Sequence, residues 1–71
     1  MAISEKVRIN EEYITLGQFL KIVDLVQSGG EAKSFLLYKD ILINNEKDNR
    51  RGRKLRIGDL INIEGKVYEI C

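Results

Sequence analysis

The stretch TLGQFLKIVDLVQSGGEAK, residues 15–33, decides the fold, because it contains two helix-start patterns in one short run. Thr15 stands three residues before Gln18, and Ser28 stands three residues before Glu31. Each pair fits a capping box, in which two side chains satisfy backbone N–H groups that a helix start leaves without partners. The stretch therefore predicts the beginnings of two helices.

Apolar residues in the same stretch recur at the helical spacing of three and four positions. They predict one helix over about residues 16–26 and a second, shorter helix over about 29–38. The two apolar sets are Leu16, Phe19, Leu20, Ile22, Val23, Leu25 and Val26, then Ala32, Phe35 and Leu36. Because almost no chain separates these helices, we expect them to pack at a sharp angle.

Residues on both sides of the helices alternate between apolar and polar types, which is the pattern of half-buried strands. Val7 and Ile9 predict a short edge strand before the helices. After the helices we predict a strand at 41–43, a turn at Asn44-Asn45, a charged loop at 46–49, a strand leading through Leu55 and Ile57, a turn at Gly58-Asp59, and strands at 60–64 and 66–70 joined at Gly65. The expected fold class is α+β.

The basic run NRRGRKLR, residues 49–56, is the strongest functional signal. Five of the twelve basic residues fall within positions 50–56, although the net charge of the chain is only +1. Residues 1–49 carry a net charge of −2 and residues 50–71 a net charge of +3. Such polarity steers an anionic partner, and a phosphate backbone is the natural one.

If the basic run is a strand, its side chains alternate between two faces. Arg50, Lys54 and Arg56 would lie on one face, and Arg51 and Arg53 on the other. We expect Gly52 to bend the chain so that both sets converge on one partner.

Two features near the second helix could add to this surface. Gly29 and Gly30 leave the helix start bare, so its free N–H groups and dipole favour an anion. Lys33 should point outward, off the apolar face. Tyr13, Tyr38 and Tyr68 are interpreted as half-buried packing residues, with stacking on an RNA base as the alternative.

Several kinds of chemistry are not expected. The chain has no histidine and a single cysteine, Cys71, which excludes a zinc site and a Cys–His nucleophile and leaves an inert thiol as the interpretation. No P-loop motif or paired carboxylates are present. We therefore expect no catalytic residue, metal, cofactor or small-molecule substrate. We also expect no signal peptide and no membrane span. A single cysteine cannot form an intramolecular disulfide, which favours a reducing cytoplasm. We expect a monomer with one domain over residues 1–71.

The order of these motifs resembles the small stand-alone S4-like RNA-binding proteins, the bacterial YaaA/YbcJ group. The residues that carry the resemblance are 13–21, 28–33, Asn44, 50–55 and Gly58-Asp59. It implies an S4-like (alpha-L) motif over about residues 7–70, with two short helices packed on a small, bent antiparallel sheet. In this resemblance Asn44 holds one turn, Gly58-Asp59 holds the next, and the RNA-binding residues are Ser28, Gly29, Gly30, Lys33, Arg50, Arg51, Arg53 and Lys54.

The chain departs from the group at the first turn and at Tyr38-Lys39-Asp40, which replaces the more usual small or acidic residues, and the group itself differs from larger S4-type domains. Asn44-Asn45 replaces the usual Asn-Gly turn, which asparagine can still form. Gly29, Gly30 and Glu31 stand where many larger S4-type domains have arginines, which implies weaker RNA affinity or a target recognised more by shape. We expect a non-enzymatic module for structured RNA, such as ribosomal RNA or a ribosome-assembly intermediate. The alternative is a protein-interaction adaptor whose basic rim docks an acidic partner.

Overall fold

A computed structural model describes residue 3 and residues 5–71 of the chain. The expectation about a signal peptide falls in part on residues 1, 2 and 4, which lie outside the described residues. The helices are α1 (Leu16–Ile22) and α2 (Gly29–Tyr38). The strands are β1 (Glu5–Val7), β2 (Ile14–Thr15), β3 (Ile41–Ile43), β4 (Glu46–Lys47), β5 (Lys54–Leu55), β6 (Leu60–Ile63) and β7 (Lys66–Ile70).

Five of these strands form one sheet in the order β1-β7-β6-β3-β4. Its pairs are antiparallel except that β1 runs parallel to β7. The predicted α+β arrangement of two helices and a small sheet is therefore present, but the sheet is mixed rather than purely antiparallel. The remaining strands, β2 and β5, form a separate antiparallel ribbon.

The core lies between the helices and one face of the sheet. Leu16, Phe19 and Leu20 of α1 have no exposed surface, as the helical spacing predicts. Phe19 packs edge-to-face on Tyr68 of β7, with ring centroids 5.2 Å apart. The other large apolar residues of this core include Leu36, Ile41, Ile43, Leu55, Ile61 and Ile70.

Helix α1 ends earlier than the predicted residue 26. Asp24 has a φ of 63°, in the left-handed region, which stops the helix. Its N–H donates to the Lys21 carbonyl at 3.1 Å, while the N–H of Leu25 donates to the Leu20 carbonyl at 3.0 Å. These two bonds form a Schellman cap. Residues 23–28 therefore separate the helices, whereas almost no connection was expected.

This early end also changes what α1 buries. Ile22 and Leu25 were predicted to widen its apolar face, but their exposed fractions are 53% and 38%. Val26, beyond the helix, is buried instead. Helix α2 has the predicted bounds of 29–38, because its start depends on a local cap at Ser28.

The basic run is not the strand that its alternation predicted. Only Lys54 and Leu55 form a strand, and the N–H of Arg53 donates to the Arg50 carbonyl at 3.1 Å, which closes a turn. Conversely, part of the predicted charged loop is the strand β4, which pairs with β3. The physical reason is Asp48, whose side chain accepts the Arg50 N–H at 3.0 Å and so turns the chain before Gly52.

Two predicted turns are confirmed and are joined to each other. Asn44 and Asn45 have φ values of 52° and 69°, as a two-residue hairpin turn with both residues at positive φ requires. Gly58 has a φ of 98° in the later turn. The Asn44 amide donates to Asp59 at 3.1 Å and accepts the Leu60 N–H at 3.0 Å. Asn44 therefore ties the two turns together.

Candidate nucleic-acid interface

The connection carrying the basic run is fixed to the start of α1 by backbone hydrogen bonds. The Leu16 N–H donates to the Arg53 carbonyl at 2.8 Å, and the Gly17 N–H donates to the Arg51 carbonyl at 2.9 Å. The first N–H groups of a helix have no partner within the helix, so this connection supplies them. The predicted capping box is confirmed, and its two side chains accept the remaining N–H groups, those of Thr15 and Gln18. The loop and the helix start therefore form one unit.

Arg51 lies closest to both helices. A Cβ built on Gly17 would lie 2.7 Å from Arg51 Cγ, so the arginine side chain passes directly over this glycine. A Cβ built on Gly29 would lie 3.8 Å from Arg51 Nη1. The Arg51 side chain thus reaches from the start of α1 to the start of α2.

Shallow grooves lie on both sides of Arg51. One is shared with Lys33 and with Asn49, whose amide donates to the Leu36 carbonyl at 3.3 Å. The other is shared with Lys21 and Gly29. The structure therefore brings together Gly29, Lys33 and Arg51 from the predicted set. Lys21 was missed, although its position off the apolar face of α1 could have indicated it.

These cations on the helix side are not neutralised by nearby carboxylates. Within residues 5–71, Lys21, Lys33 and Arg51 have no salt-bridge partner. All three side chains belong to exposed residues. Their charge is thus available to an anion from solvent.

Arg50 and Arg53, in contrast, share a carboxylate. Asp48 accepts Arg50 Nη2 at 2.8 Å and Arg53 Nη1 at 3.0 Å, and its side chain is only 10% exposed. The hydrogen bond from the Arg50 side chain, aided by those from the Arg50 backbone and from Arg53, holds the pKa of Asp48 well below its usual range. Arg50 remains 73% exposed and Arg53 only 28%. Arg53 is therefore mainly an internal contact.

Ser28 and Gly30 face a different side of α2. Ser28 Oγ accepts the Glu31 N–H at 3.2 Å, which confirms Ser28 as the helix cap. The reciprocal bond of the predicted capping box comes from the Gln27 N–H instead, at 3.3 Å from Glu31 Oε2. Ser28 and Gly30 line a groove with Phe35 rather than one with Arg51. The structure does not place them beside the basic run.

The three tyrosines differ in burial, against the prediction that all are half-buried. Tyr68 is only 2% exposed and belongs to the core. Tyr38 is 84% exposed, at the end of α2 away from Arg51. Tyr13 is 38% exposed and lies under the side chains of Lys54 and Arg56.

Over residue 3 and residues 5–71, no group of three or more histidine, cysteine, aspartate or glutamate side chains is placed to hold a metal ion. No helix in that part of the chain has the length and apolar character needed to cross a bilayer.

The S4 domain family model matches residues 7–71. The chain belongs to the S4 domain family. A probable ribosome maturation protein RlbA of Bacillus subtilis (strain 168) is 59% identical over 59 residues, which cover 83% of each chain. The resemblance to small stand-alone S4-like proteins and the predicted S4-like fold are thus confirmed. The S4 domain of this chain presents exposed cations on the connection between β4 and β5 and on the two helices, among them Arg51, Lys21 and Lys33.

Proposed function

We propose that this protein is a non-enzymatic, cytoplasmic RNA-binding module that contacts the phosphate backbone of structured RNA. The observation that carries the proposal is the placement of Arg51, which passes over Gly17 and reaches Gly29. A phosphate there would meet a guanidinium group and the start of α2, where free N–H groups and the helix dipole also favour an anion. Lys21 and Lys33 on either side add charge without competing carboxylates.

Cations of this kind position a protein on RNA without reading its sequence, because every nucleotide offers the same phosphate. The backbone bonds between the basic run and α1 hold Arg51 at a fixed place. A fixed set of cations suits a folded RNA, whose phosphates also hold fixed positions. Single-strand binders instead need several exposed aromatic rings along a groove, and the most exposed ring, Tyr38, lies away from Arg51.

Ribosomal RNA or a ribosome-assembly intermediate is the proposed target. Its support is the similarity to a protein named for ribosome maturation, together with membership of the S4 domain family. This step is an analogy between relatives, whereas the phosphate contacts are argued from the charged surface. Of the other predicted site residues, Arg50 and Lys54 stay part of the proposed interface, and Arg53 supports it through its contact with Asp48. Ser28 and Gly30 stay predictions outside this surface, because they line a different groove.

The test is the salt dependence of binding to protein-free bacterial ribosomal RNA. Each phosphate contact should contribute roughly 0.7 to 0.9 to the slope of log K against log salt concentration. Arg51→Ala should therefore lower the slope by about that amount and weaken binding about five- to eightfold at roughly 0.1 M salt.

Lys66→Ala is the matched control. Lys66 is an exposed cation that pairs with Glu5 at 3.7 Å and lies on the hairpin between β6 and β7, away from the basic run. Lys66→Ala should leave the slope of log K against log salt concentration unchanged. Unchanged binding after replacing Arg50, Arg51, Arg53 and Lys54 together with alanine would sink the proposal.

A further inference from the structure

A second group of cations lies on the ribbon of β2 and β5, at the far end from Arg51. In this ribbon Thr15 pairs with Lys54 and Ile14 with Leu55, so the same register brings Tyr13 beside Arg56. Lys54 Nζ lies 4.9 Å from the centroid of the Tyr13 ring, and Arg56 Cζ lies 5.5 Å from it. One aromatic ring therefore holds two cations.

The strand geometry directs both cations outward. Leu55, between them, has no exposed surface and points into the core. Successive side chains of a strand point to opposite faces, so Lys54 and Arg56 share the outer face, about 6 to 7 Å apart along the chain. Both residues are exposed. Attraction to the ring face restrains their positions.

Two carboxylates among residues 5–71 contact Arg56: Asp59 accepts its backbone N–H at 2.8 Å, and Glu12 pairs with its guanidinium group. Arg56 Nη1 lies 3.4 Å from Glu12 Oε1, and the two side chains are 52% and 83% exposed. Ion pairs this exposed contribute little to stability. An RNA phosphate can therefore take the place of the Glu12 carboxylate.

Two further backbone hydrogen bonds connect the end of the ribbon to the turn that carries Arg51. Beyond the Thr15–Lys54 pair, the Leu16 and Gly17 N–H groups bind the Arg53 and Arg51 carbonyls. Arg51, Lys54 and Arg56 thus follow one another along the same segment. An RNA backbone seated at Arg51 has a path along this row.

We propose that Lys54 and Arg56, positioned by the Tyr13 ring, form a second phosphate-binding pair that extends the RNA interface along the ribbon of β2 and β5. This inference rests on the proposed function and adds Arg56 and Tyr13 to it. Arg56 contacts the phosphate, and Tyr13 is a positioning residue.

The test measures binding of a labelled RNA stem-loop and of protein-free ribosomal RNA over a series of salt concentrations. Arg56→Ala should lower the slope of log K against log salt by about 0.7 to 0.9 and weaken binding about five- to eightfold near 0.1 M salt. Tyr13→Leu should weaken binding about two- to fivefold, the equivalent of an exposed cation–π contact, whereas Tyr13→Phe should bind as the unmodified protein does.

Lys66→Ala is again the matched control, since Lys66 Nζ lies 5.1 Å from the Tyr68 ring centroid and thus makes the same kind of contact elsewhere. An equal fall in slope for Lys66→Ala would mean that only net charge matters, which overturns the inference. Normal binding by Arg56→Ala with weakened binding by Arg51→Ala overturns it but keeps the proposed function. Normal binding by both variants overturns the proposed function as well.

The role of Tyr13 has its own contradicting results. Unchanged binding by Tyr13→Leu, or equal weakening by Tyr13→Phe and Tyr13→Leu, would show that the ring does not position the cations. Urea unfolding of each variant, with a midpoint close to that of the unmodified protein, checks that the binding changes do not come from unfolding.

Discussion

At the residue scale, the decisive side chain within the basic region is an acidic one. Asp48 binds the Arg50 backbone, the Arg50 side chain and Arg53, and it is nearly buried. One carboxylate thus sets the turn and lowers the repulsion between two neighbouring guanidinium groups. The net positive charge of the basic run is therefore smaller than its number of arginines and lysines suggests, because Asp48 neutralises part of it.

This arrangement predicts how stability depends on pH. The pKa of Asp48 is lowered in the folded state, first by its hydrogen bond with the Arg50 side chain. The carboxylate therefore stabilises the fold above the pKa of the unfolded chain, about 3.9, and this contribution is lost as the pH falls further toward the folded pKa. Asp48→Asn should lower the free energy of unfolding by about 1–2 kcal/mol at neutral pH. The difference from the unmodified protein should shrink below about pH 4.

Urea unfolding at neutral pH and at several acidic values measures this convergence. Asp40→Asn is the control, because the Asp40 side chain is 83% exposed in its pair with Lys47. The free energy of unfolding of Asp40→Asn should equal that of the unmodified protein at every pH. If the difference in the free energy of unfolding between Asp48→Asn and the unmodified protein stays constant to the lowest pH measured, the stabilising role of the Asp48 carboxylate is contradicted.

At the element scale, α1 and the basic connection are built as one piece. The connection supplies hydrogen-bond acceptors to the first N–H groups of α1, and the absence of a side chain at Gly17 leaves space for Arg51. A helix start and a distant loop thus depend on each other. The position of Arg51 is a property of this pair of elements rather than of either alone.

Alanine at two glycines tests this packing. Alanine in place of a helical glycine normally stabilises a protein by roughly 0.5–1 kcal/mol. Gly17→Ala should instead destabilise by about 1–3 kcal/mol, because its Cβ would meet Arg51 Cγ at 2.7 Å and would force that side chain to shift. Gly30→Ala should be neutral or stabilising, since the nearest atom is Ser28 Oγ at 3.9 Å. Chemical denaturation measures the free energy of unfolding of both variants. A change of the same sign in the two variants would refute the packing argument.

At the scale of the whole molecule, exposed cations lie on the helices, the basic connection and the ribbon, among them Lys21, Lys33, Arg51, Lys54 and Arg56. The total charge of +1 hides this local concentration. Positive charge concentrated in this way steers an anionic partner toward that part of the surface. The fold of the S4 domain thus gives a nearly neutral chain a surface with an uneven distribution of charge.

A cell-extract experiment separates the proposed RNA module from a protein-interaction adaptor. The protein should co-sediment with ribonucleoprotein particles, and ribonuclease treatment should release it, because RNA phosphates supply the partner charge. Arg51→Ala should reduce the co-sedimenting fraction, and Lys66→Ala should not. Retention of one partner protein after complete RNA digestion would favour the adaptor instead.

The sequence by itself determined what depends on near neighbours along the chain. Ser28 caps α2 through a contact three residues away, so the bounds of that helix were predicted correctly. The Asn44-Asn45 turn and the buried face of α1 were predicted for the same reason. The end of α1 was missed, because a left-handed Asp24 leaves no clear signal in the residue type.

Only the tertiary structure decided which cations lie together on the proposed RNA-binding surface. The ribbon of β2 and β5 joins segments about 40 residues apart, and alternation along one segment cannot reveal that pairing. The same long-range packing put Arg51 over Gly17 and Arg56 beside Tyr13, and it left Ser28 on another side. The clustering of basic residues in the sequence therefore predicted a phosphate partner. The orientation of each charged side chain followed from contacts between residues distant in the chain.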